Sequence, residues 1–288
     1  IAQQLLAQHA FTLCLSSASL ALAYLLVAQI SNSTRLALYT AGALALLPAF
    51  IGHSQNNPKD LPTLFTFLLV GCCIVPAART GHWRWVLASA LALGIAWNTR
   101  ILGLTLVPIY VIWLAWRFPD THWRRLGIAS LGGICIAFSF WPWLWSAPFT
   151  NLMEVTERIQ VHRIIDFQMM YLGELHSWNE MPWHYRGVHL LVGLPLIYVL
   201  ALSLAIPAAL RTRRNHSSHS DLLSLAATWI LVLALTDLLS PYRYDGIRHF
   251  LAVLPAFAIV AAVGLFWLHD FLTSRTHRKW LGDATVAA

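Results

Sequence analysis

The sequence predicts an all-α fold, a polytopic bundle of membrane-spanning helices, from three observations. The 288 residues are 58% hydrophobic and only 11% charged, with a mean hydropathy of +0.62, whereas a soluble domain carries about 25% charged residues. Apolar runs of about 16–22 residues recur along the chain, which is the length of a membrane-crossing helix. Many of the 14 tryptophans lie beside the ends of these runs, as expected for interfacial belts. We therefore treat residues 1–288 as one transmembrane domain.

We predict about nine spans by comparing each apolar run with a hydrocarbon core ~30 Å thick. The run 84–116 is too long for one crossing, and the polar Asn98-Thr99-Arg100 divides it. The predicted spans are 11–30, 36–52, 61–78, 84–97, 101–116, 127–145, 188–208, 222–239 and 249–270.

The distribution of lysine and arginine predicts the orientation. One set of connections, which includes Arg35 and Arg125, is richer in basic residues than the set that includes Lys59 and Arg100. The richer set is cytoplasmic by the positive-inside rule, so we expect a cytoplasmic C-terminus and an external residue 1. Because the chain starts at Ile1 without methionine, we also expect a first span and a first outer loop to precede it.

Charge and cysteine content narrow the function classes. The net charge of +7 is explained by basic residues at cytoplasmic helix ends, so no nucleic-acid partner is expected. The four cysteines lie inside apolar runs and have neither metal-ligand spacing nor a disulfide framework. Walker A, GxGxxG, HExxH and GxSxG motifs do not occur in the sequence.

The longest connection, residues 146–187, is predicted to be an extracytoplasmic loop with an amphipathic helix. Asn151 and Glu154 have the spacing of a helix start, and Leu152, Val155 and Ile159 then share one face. Such a helix lies on the membrane surface. An ordinary connecting helix is the alternative.

Asp60 is the best-placed candidate ligand for a divalent cation, because hard cations prefer carboxylate oxygens. It stands at the mouth of a span, beside Lys59 and near His53. Capping of the helix that begins at Leu61-Pro62 is an alternative role for Asp60, and the two roles are compatible.

Arg100, Arg243 and Arg248 are fixed cations near the predicted outer ends of spans, where the arginine fork suits the phosphate of a lipid-linked substrate. Snorkelling to lipid headgroups is the alternative for Arg100, and pairing with Asp245 is the alternative for Arg248.

Two histidines on the predicted outer face are candidates for acid–base chemistry. They are His184 in the long loop and His249 at the start of the last predicted span. A hydrogen-bonding role at the interface is the alternative for both.

Four stretches resemble motifs of bacterial C-type glycosyltransferases, which are relatives of the dolichyl-phosphate-mannose protein mannosyltransferases and of the aminoarabinose transferase of lipid A. The stretches occur in order along the chain and are spread over residues 52–251. They are GHSQNNPKDLP at 52–62, WPWLW at 141–145, YLG at 171–173 with PWHY at 182–185, and YDGIRHFL at 244–251.

The resemblance implies a transferase of the bacterial cytoplasmic (inner) membrane that takes a sugar from a polyprenyl-phosphate carrier at the extracytoplasmic face. The acceptor would be a lipid, a glycan or a protein, and membrane lipids would surround the enzyme. Such enzymes often hold a divalent metal between two acidic residues, and Asp60 matches the second. No acidic residue precedes Asp60, so the catalytic base is expected in a segment N-terminal to Ile1.

The resemblance also implies roles for individual residues. Lys59, Arg100 and Arg248 would contact the phosphate, and His184 and Tyr185 would line the sugar pocket. His53, Asp245 and His249 complete the predicted substrate-binding set.

Two other function classes stay open from the sequence. A transporter or flippase of a lipid-linked or anionic substrate would use intramembrane charges along a path, but the polar groups here gather at one predicted face. An inactive, truncated homologue is the third interpretation.

Overall fold

The computed structural model describes residues 2–160, 168–177, 180–212, 217–240 and 243–276. Most of the described residues are helical, which confirms the predicted all-α class. One antiparallel hairpin, β1 (Gln168–Tyr171) and β2 (Glu174–Ser177), was not predicted.

Thirteen α-helices and two 3₁₀ helices occur within the described ranges. The first seven α-helices are α1 (Ala2–Ser31), α2 (Thr34–Leu46), α3 (Pro48–Asn56), α4 (Leu61–Thr80), α5 (Trp83–Thr99), α6 (Leu106–Arg117) and α7 (Trp123–Ser139). The remaining six are α8 (Trp143–Ser146), α9 (Pro148–Gln160), α10 (Tyr185–Val192), α11 (Leu196–Thr212), α12 (Ser218–Leu239) and α13 (Leu254–Thr276). The 3₁₀ helices, Ile101–Thr105 and Arg248–Val253, lead directly into α6 and α13.

Four helices in the described ranges are long and apolar enough to cross a membrane: Gln3–Ser31, Leu61–Thr80, Ser218–Leu239 and Arg248–Ser274. The number rises to six if each of two bent helix pairs is one span. The sequence predicted about nine, because apolar run length alone also counts helices shorter than a full crossing. The protein is a multi-pass membrane protein in either case.

Helix α4 lies at the centre of the bundle and has its side chains buried all round. It packs against α1 and α5, and α5 packs against α7. Pro62 stands in its first turn, and Gly81 ends it in the left-handed region at φ +63°, where glycine is favoured. Pro62 and Gly81 therefore mark the start and the end of α4.

Small residues allow close helix packing elsewhere in the bundle. Gly264 of α13 faces the backbone of Ala201 in α11 so closely that a Cβ at Gly264 would meet the Ala201 carbonyl oxygen. Close approach at small residues is a common mode of helix association in membranes.

Several predicted boundaries are wrong, among them the span 36–52, which is two helices, α2 and α3, with an angle of 67° between them. The span 127–145 ends at Ser139, before Pro142 opens the short helix α8. The span 188–208 is two helices, α10 and α11, with an angle of 107° between them. The amphipathic helix of the long loop begins at Pro148, so Asn151 is not its cap; the Asn151 amide instead donates to the Trp143 carbonyl oxygen.

The charged residues described below lie at two opposite ends of the bundle, because the helices run between those ends. At one end, Arg117 Nε donates to Asp221 Oδ1 at 2.8 Å, and the Arg79 guanidinium lies over the Phe118 ring. The other end carries Asp60, where α4 begins, and Arg100, where α5 has ended. The candidate site lies at this second end.

Candidate functional site

The buried carboxylate of Asp60 is the centre of the site. Its side chain is only 2% exposed, and it forms no capping hydrogen bond to α4. Arg100 Nη1 pairs with Asp60 Oδ1, and Arg248 Nε lies 3.0 Å from Asp60 Oδ2. Two guanidinium groups from distant parts of the chain therefore hold one carboxylate.

Breaks between helices position both arginines. Arg100 is an extended residue between α5 and the 3₁₀ helix Ile101–Thr105, so its side chain turns inward at the junction. Arg248 opens the second 3₁₀ helix directly after a turn in which Asp245 and Gly246 are both left-handed, at φ +56° and +58°. Arg248 Nη1 also lies 3.0 Å from Asp245 Oδ2. The proposed Asp245 pairing of Arg248 thus coexists with its contact to Asp60.

The segment before α4 orients the Asp60 carboxylate. Asn57 Nδ2 donates to Asp60 Oδ2 at 3.0 Å, and Asn57 Oδ1 accepts from the Asp60 backbone N–H at 3.0 Å. The same Nδ2 atom is 3.0 Å from His53 Nδ1. His53 therefore lies one side chain away from Asp60, while Lys59 is exposed.

His249 joins the group from the residue after Arg248. Its Nδ1 atom lies 3.3 Å from Arg100 Nη1 and 3.8 Å from Asp60 Oδ1. The His249 ring also packs edge-to-face on Tyr244, with centroids 4.7 Å apart. The imidazole is thus held beside the Arg100 guanidinium.

A second buried ion cluster lies across a cavity from this group. Asp237, in the last turn of α12, pairs with Arg186 of α10, and both side chains are 9% exposed. Arg243 Nε lies 3.8 Å from Asp237 Oδ2, and Arg243 Nη2 donates to the Asp237 carbonyl oxygen at 2.8 Å.

The cavity between the two clusters has a volume of about 230 Å³. Its walls combine cationic, hydroxyl and apolar groups from four elements. The lining residues are Arg100, Ile101, Leu102, Arg186, Thr236, Asp237, Ser240, His249 and Phe250.

Positive charge exceeds negative charge around this cavity among the described residues. Five cationic side chains face three carboxylates: Lys59, Arg100, Arg186, Arg243 and Arg248 against Asp60, Asp237 and Asp245. Burial, followed by the nearby Arg248 charge, lowers the pKa of Arg100. An anionic ligand would relieve this repulsion between guanidinium groups.

His184 and Tyr185 lie in a separate small cluster beside the hairpin. Tyr171, Met181 and Tyr185 form its buried centre, and the Tyr171 hydroxyl is 2.7 Å from His184 Nδ1. His184 does not line the cavity described above. Tyr185 is linked to the site differently, because its hydroxyl oxygen accepts a hydrogen bond from the Gly246 backbone N–H at 3.0 Å.

The residues around Asp60 do not by themselves make a metal centre. The described part of the chain contains no group of three His, Cys, Asp or Glu side chains that could hold a metal ion. Arginines also pair with both Asp60 oxygens, so they compete with a divalent metal ion for this carboxylate. The divalent metal stays a prediction from the resemblance.

Sequence reasoning identified one cluster and missed the function of the other. Asp60, Arg100, Arg248 and His249 come together, as does His53 through Asn57. Arg186 and Asp237 had no predicted role. The available signal was Asp237 itself, since a carboxylate in the last turn of an apolar helix requires a partner.

Two comparisons with known proteins agree with the resemblance seen in the sequence motifs. The sequence model of the family described as dolichyl-phosphate-mannose-protein mannosyltransferase matches residues 5–145. No curated protein matches the chain significantly.

Among solved structures, the chain is similar to ArnT from Cupriavidus metallidurans, which was crystallised bound to undecaprenyl phosphate. The TM-score is 0.61 at 20% sequence identity, and the alignment covers 96% of this chain and 49% of ArnT. The chain thus spans about half the length of that protein. The likeness to ArnT is one of fold, and the family model covers residues 5–145, just under half of the chain.

Proposed function

We propose that the protein is a membrane glycosyltransferase that moves a sugar from a polyprenyl-phosphate donor to an acceptor. The observation that carries this proposal is the convergence of Arg100, Arg248 and His249 on the buried Asp60. The match of residues 5–145 to the family of dolichyl-phosphate-mannose-protein mannosyltransferases supports the reaction class. The undecaprenyl phosphate bound to ArnT supports the class of donor.

The site suits a phosphate group that must leave with its negative charge. In the proposed reaction, an acceptor oxygen or nitrogen forms a bond to the anomeric carbon while the bond from that carbon to the phosphate oxygen breaks. Arg100 and Arg248 stabilise the departing phosphate through charge-assisted hydrogen bonds, because their guanidinium groups are already held in place by Asp60. Asp60 therefore acts as a positioning residue.

None of the carboxylates around the cavity in the described ranges is free to take the acceptor proton. Asp60, Asp237 and Asp245 are each paired with at least one arginine. The catalytic base and the divalent metal remain predictions from the resemblance, and neither the phosphate contacts nor the cavity depends on them.

We also infer the location and orientation. The proposed membrane is the bacterial cytoplasmic membrane, with the Asp60 end extracytoplasmic and the C-terminus cytoplasmic. The support is the position of Arg117 and Arg79 at the end of the bundle opposite Asp60, together with the positive-inside rule.

The test is sugar transfer by the full-length protein in membranes supplied with a panel of radiolabelled polyprenyl-phosphate sugars. We expect at least one donor to be consumed, with label appearing in lipid, glycan or protein. Arg248→Gln should lower the rate by about 100-fold, the scale of losing a charged stabiliser of the leaving group. Arg35→Gln, which changes an exposed arginine of α2, is the matched control and should retain activity. Failure of every donor, or full activity of Arg248→Gln, would reject the proposal.

A further inference from the structure

The cavity beside the arginine pair has a second polar wall that the phosphate site does not use. Arg186 and Asp237 form this wall, and the hydroxyl-bearing Thr236 and Ser240 flank it. The Thr236 hydroxyl donates to the Val232 carbonyl oxygen at 2.8 Å, which leaves its oxygen lone pairs as acceptors. The wall therefore offers both donors and acceptors to a polar ligand.

The opposite side of the cavity has two kinds of surface. Arg100 and His249 supply charge and an imidazole, and Ile101, Leu102 and Phe250 supply apolar contact. A sugar ring has the matching distribution of groups, because its hydroxyls project around the rim while its C–H faces are apolar. Such a ring would sit directly beside the phosphate held by Arg100.

Charge around the cavity argues against a positively charged ring. Both carboxylates nearest the cavity are already compensated, Asp60 by Arg100 and Arg248, and Asp237 by Arg186 and Arg243. An ammonium group here would meet guanidinium groups without a free carboxylate to pair with. A neutral hydroxyl at the same place would accept from a guanidinium or donate to a carboxylate oxygen.

We propose that this cavity binds the sugar of the donor, that Arg186, Asp237 and Thr236 recognise its hydroxyls, and that the preferred sugar is uncharged rather than a cationic amino sugar. This inference rests on the proposed function, since it requires the Arg100 pair to hold the phosphate. It goes further in naming the sugar pocket and the chemical class of sugar. The pocket differs from the one predicted at His184, which does not line this cavity.

Equilibrium binding to the purified full-length protein in detergent tests the proposal with three matched probes. They are farnesyl phosphate, farnesyl-phosphate arabinose, and farnesyl-phosphate 4-amino-4-deoxyarabinose, so the last two differ only in one hydroxyl against one ammonium. We expect farnesyl-phosphate arabinose to bind about tenfold more tightly than farnesyl phosphate, the equivalent of one strong hydrogen bond. The amino sugar should bind about tenfold more weakly than its neutral counterpart.

Two variants assign the effect to the second wall. Thr236→Val should remove most of the gain from arabinose while leaving the affinity for farnesyl phosphate unchanged, and Arg186→Gln should also remove most of that gain. Thr236→Val keeps the Arg186–Asp237 pair intact, so it decides the question if thermal unfolding shows that Arg186→Gln does not fold. Arg35→Gln, far from the cavity at the other end of the bundle, should match the wild type with all three probes.

The outcomes separate the two proposals. Equal or tighter binding of the amino sugar, or an undiminished arabinose gain in Thr236→Val, would overturn the inference while the phosphate site stands. Absence of farnesyl phosphate binding, or unchanged binding of that probe in Arg100→Gln, would instead overturn the proposed function on which the inference rests.

Discussion

At the scale of single residues, the Asp60 carboxylate organises two arginines that would otherwise repel each other. Arg100 and Arg248 reach it from distant positions in the sequence, and each contacts a different carboxylate oxygen. A carboxylate that is 2% exposed and held by two cations is strongly coupled to its partners. Its removal should therefore affect both stability and phosphate binding.

Asp60→Asn should lower the free energy of unfolding by about 1–3 kcal/mol, which is less than for a fully buried pair because both arginines are partly exposed. Chemical unfolding in detergent measures this change. Asp270→Asn is the matched control, since Asp270 is largely exposed on α13, and its effect should be within about 0.5 kcal/mol. Equal stability of the two variants would contradict the account of Asp60.

The sequence predicts the grouping of Asp60, Arg100 and Arg248, because membrane topology brings their helix ends to the same face. Asp60, Arg100 and Arg248 each lie at a break between apolar runs, and alternate breaks share one membrane face. Asp237 signalled that a partner was needed, but the sequence did not identify Arg186, because Arg186 belongs to a helix that bends by 107° away from the following one. The predicted span 188–208 treated the two helices as one.

At the scale of elements, the loop helix α10 (Tyr185–Val192) contacts the site through the Arg186–Asp237 pair and also through a hydrogen bond of Tyr185. The Tyr185 hydroxyl accepts from the Gly246 N–H at 3.0 Å, and Gly246 lies in the left-handed turn that precedes Arg248. The loop and the phosphate site are therefore mechanically connected.

Tyr185→Phe should leave the Gly246 N–H without this acceptor and loosen the turn that holds Arg248. We expect a loss of about 1 kcal/mol in unfolding free energy and a several-fold lower transfer rate by the full-length protein. Tyr24→Phe in α1 is the control, because the Tyr24 hydroxyl has no hydrogen bond to any described residue. Wild-type transfer by Tyr185→Phe would show that the link is dispensable.

The packing of α11 (Leu196–Thr212) on α13 (Leu254–Thr276) depends on the absence of a side chain at Gly264. In Gly264→Ala the new Cβ would meet the Ala201 backbone, which cannot move without shifting the helix, so we expect destabilisation of about 1–3 kcal/mol. Gly42→Ala supplies the contrast, because its Cβ would meet nothing within 4 Å and alanine favours helix by up to about 1 kcal/mol. Thermal unfolding of both variants in detergent distinguishes them; equal midpoints would contradict the packing described.

At the scale of the whole molecule, the two charged ends define a direction across the membrane. The Asp60 end carries the cavity, and the Arg117 end carries the basic connections. Hydropathy predicts that the chain crosses repeatedly but overestimates the number of full-length helices, because broken helices such as α2–α3, bent by 67°, read as continuous apolar runs.

Orientation is testable with single cysteines in a protein whose four native cysteines are replaced. Lys59→Cys should react with a membrane-impermeant maleimide in intact spheroplasts, since Lys59 is exposed at the Asp60 end. Arg35→Cys, exposed at the other end, should react only after permeabilisation. The reverse labelling pattern would invert the proposed orientation.

Equilibrium binding of farnesyl phosphate to the purified full-length protein tests most directly whether Arg100 and Arg248, held by Asp60, bind a lipid-linked phosphate. We expect Arg100→Gln and Arg248→Gln each to weaken binding at least about tenfold, the equivalent of one charge-assisted hydrogen bond, while Arg35→Gln binds as the wild type does. Undiminished binding by both Arg100→Gln and Arg248→Gln would show that these arginines do not form the phosphate site.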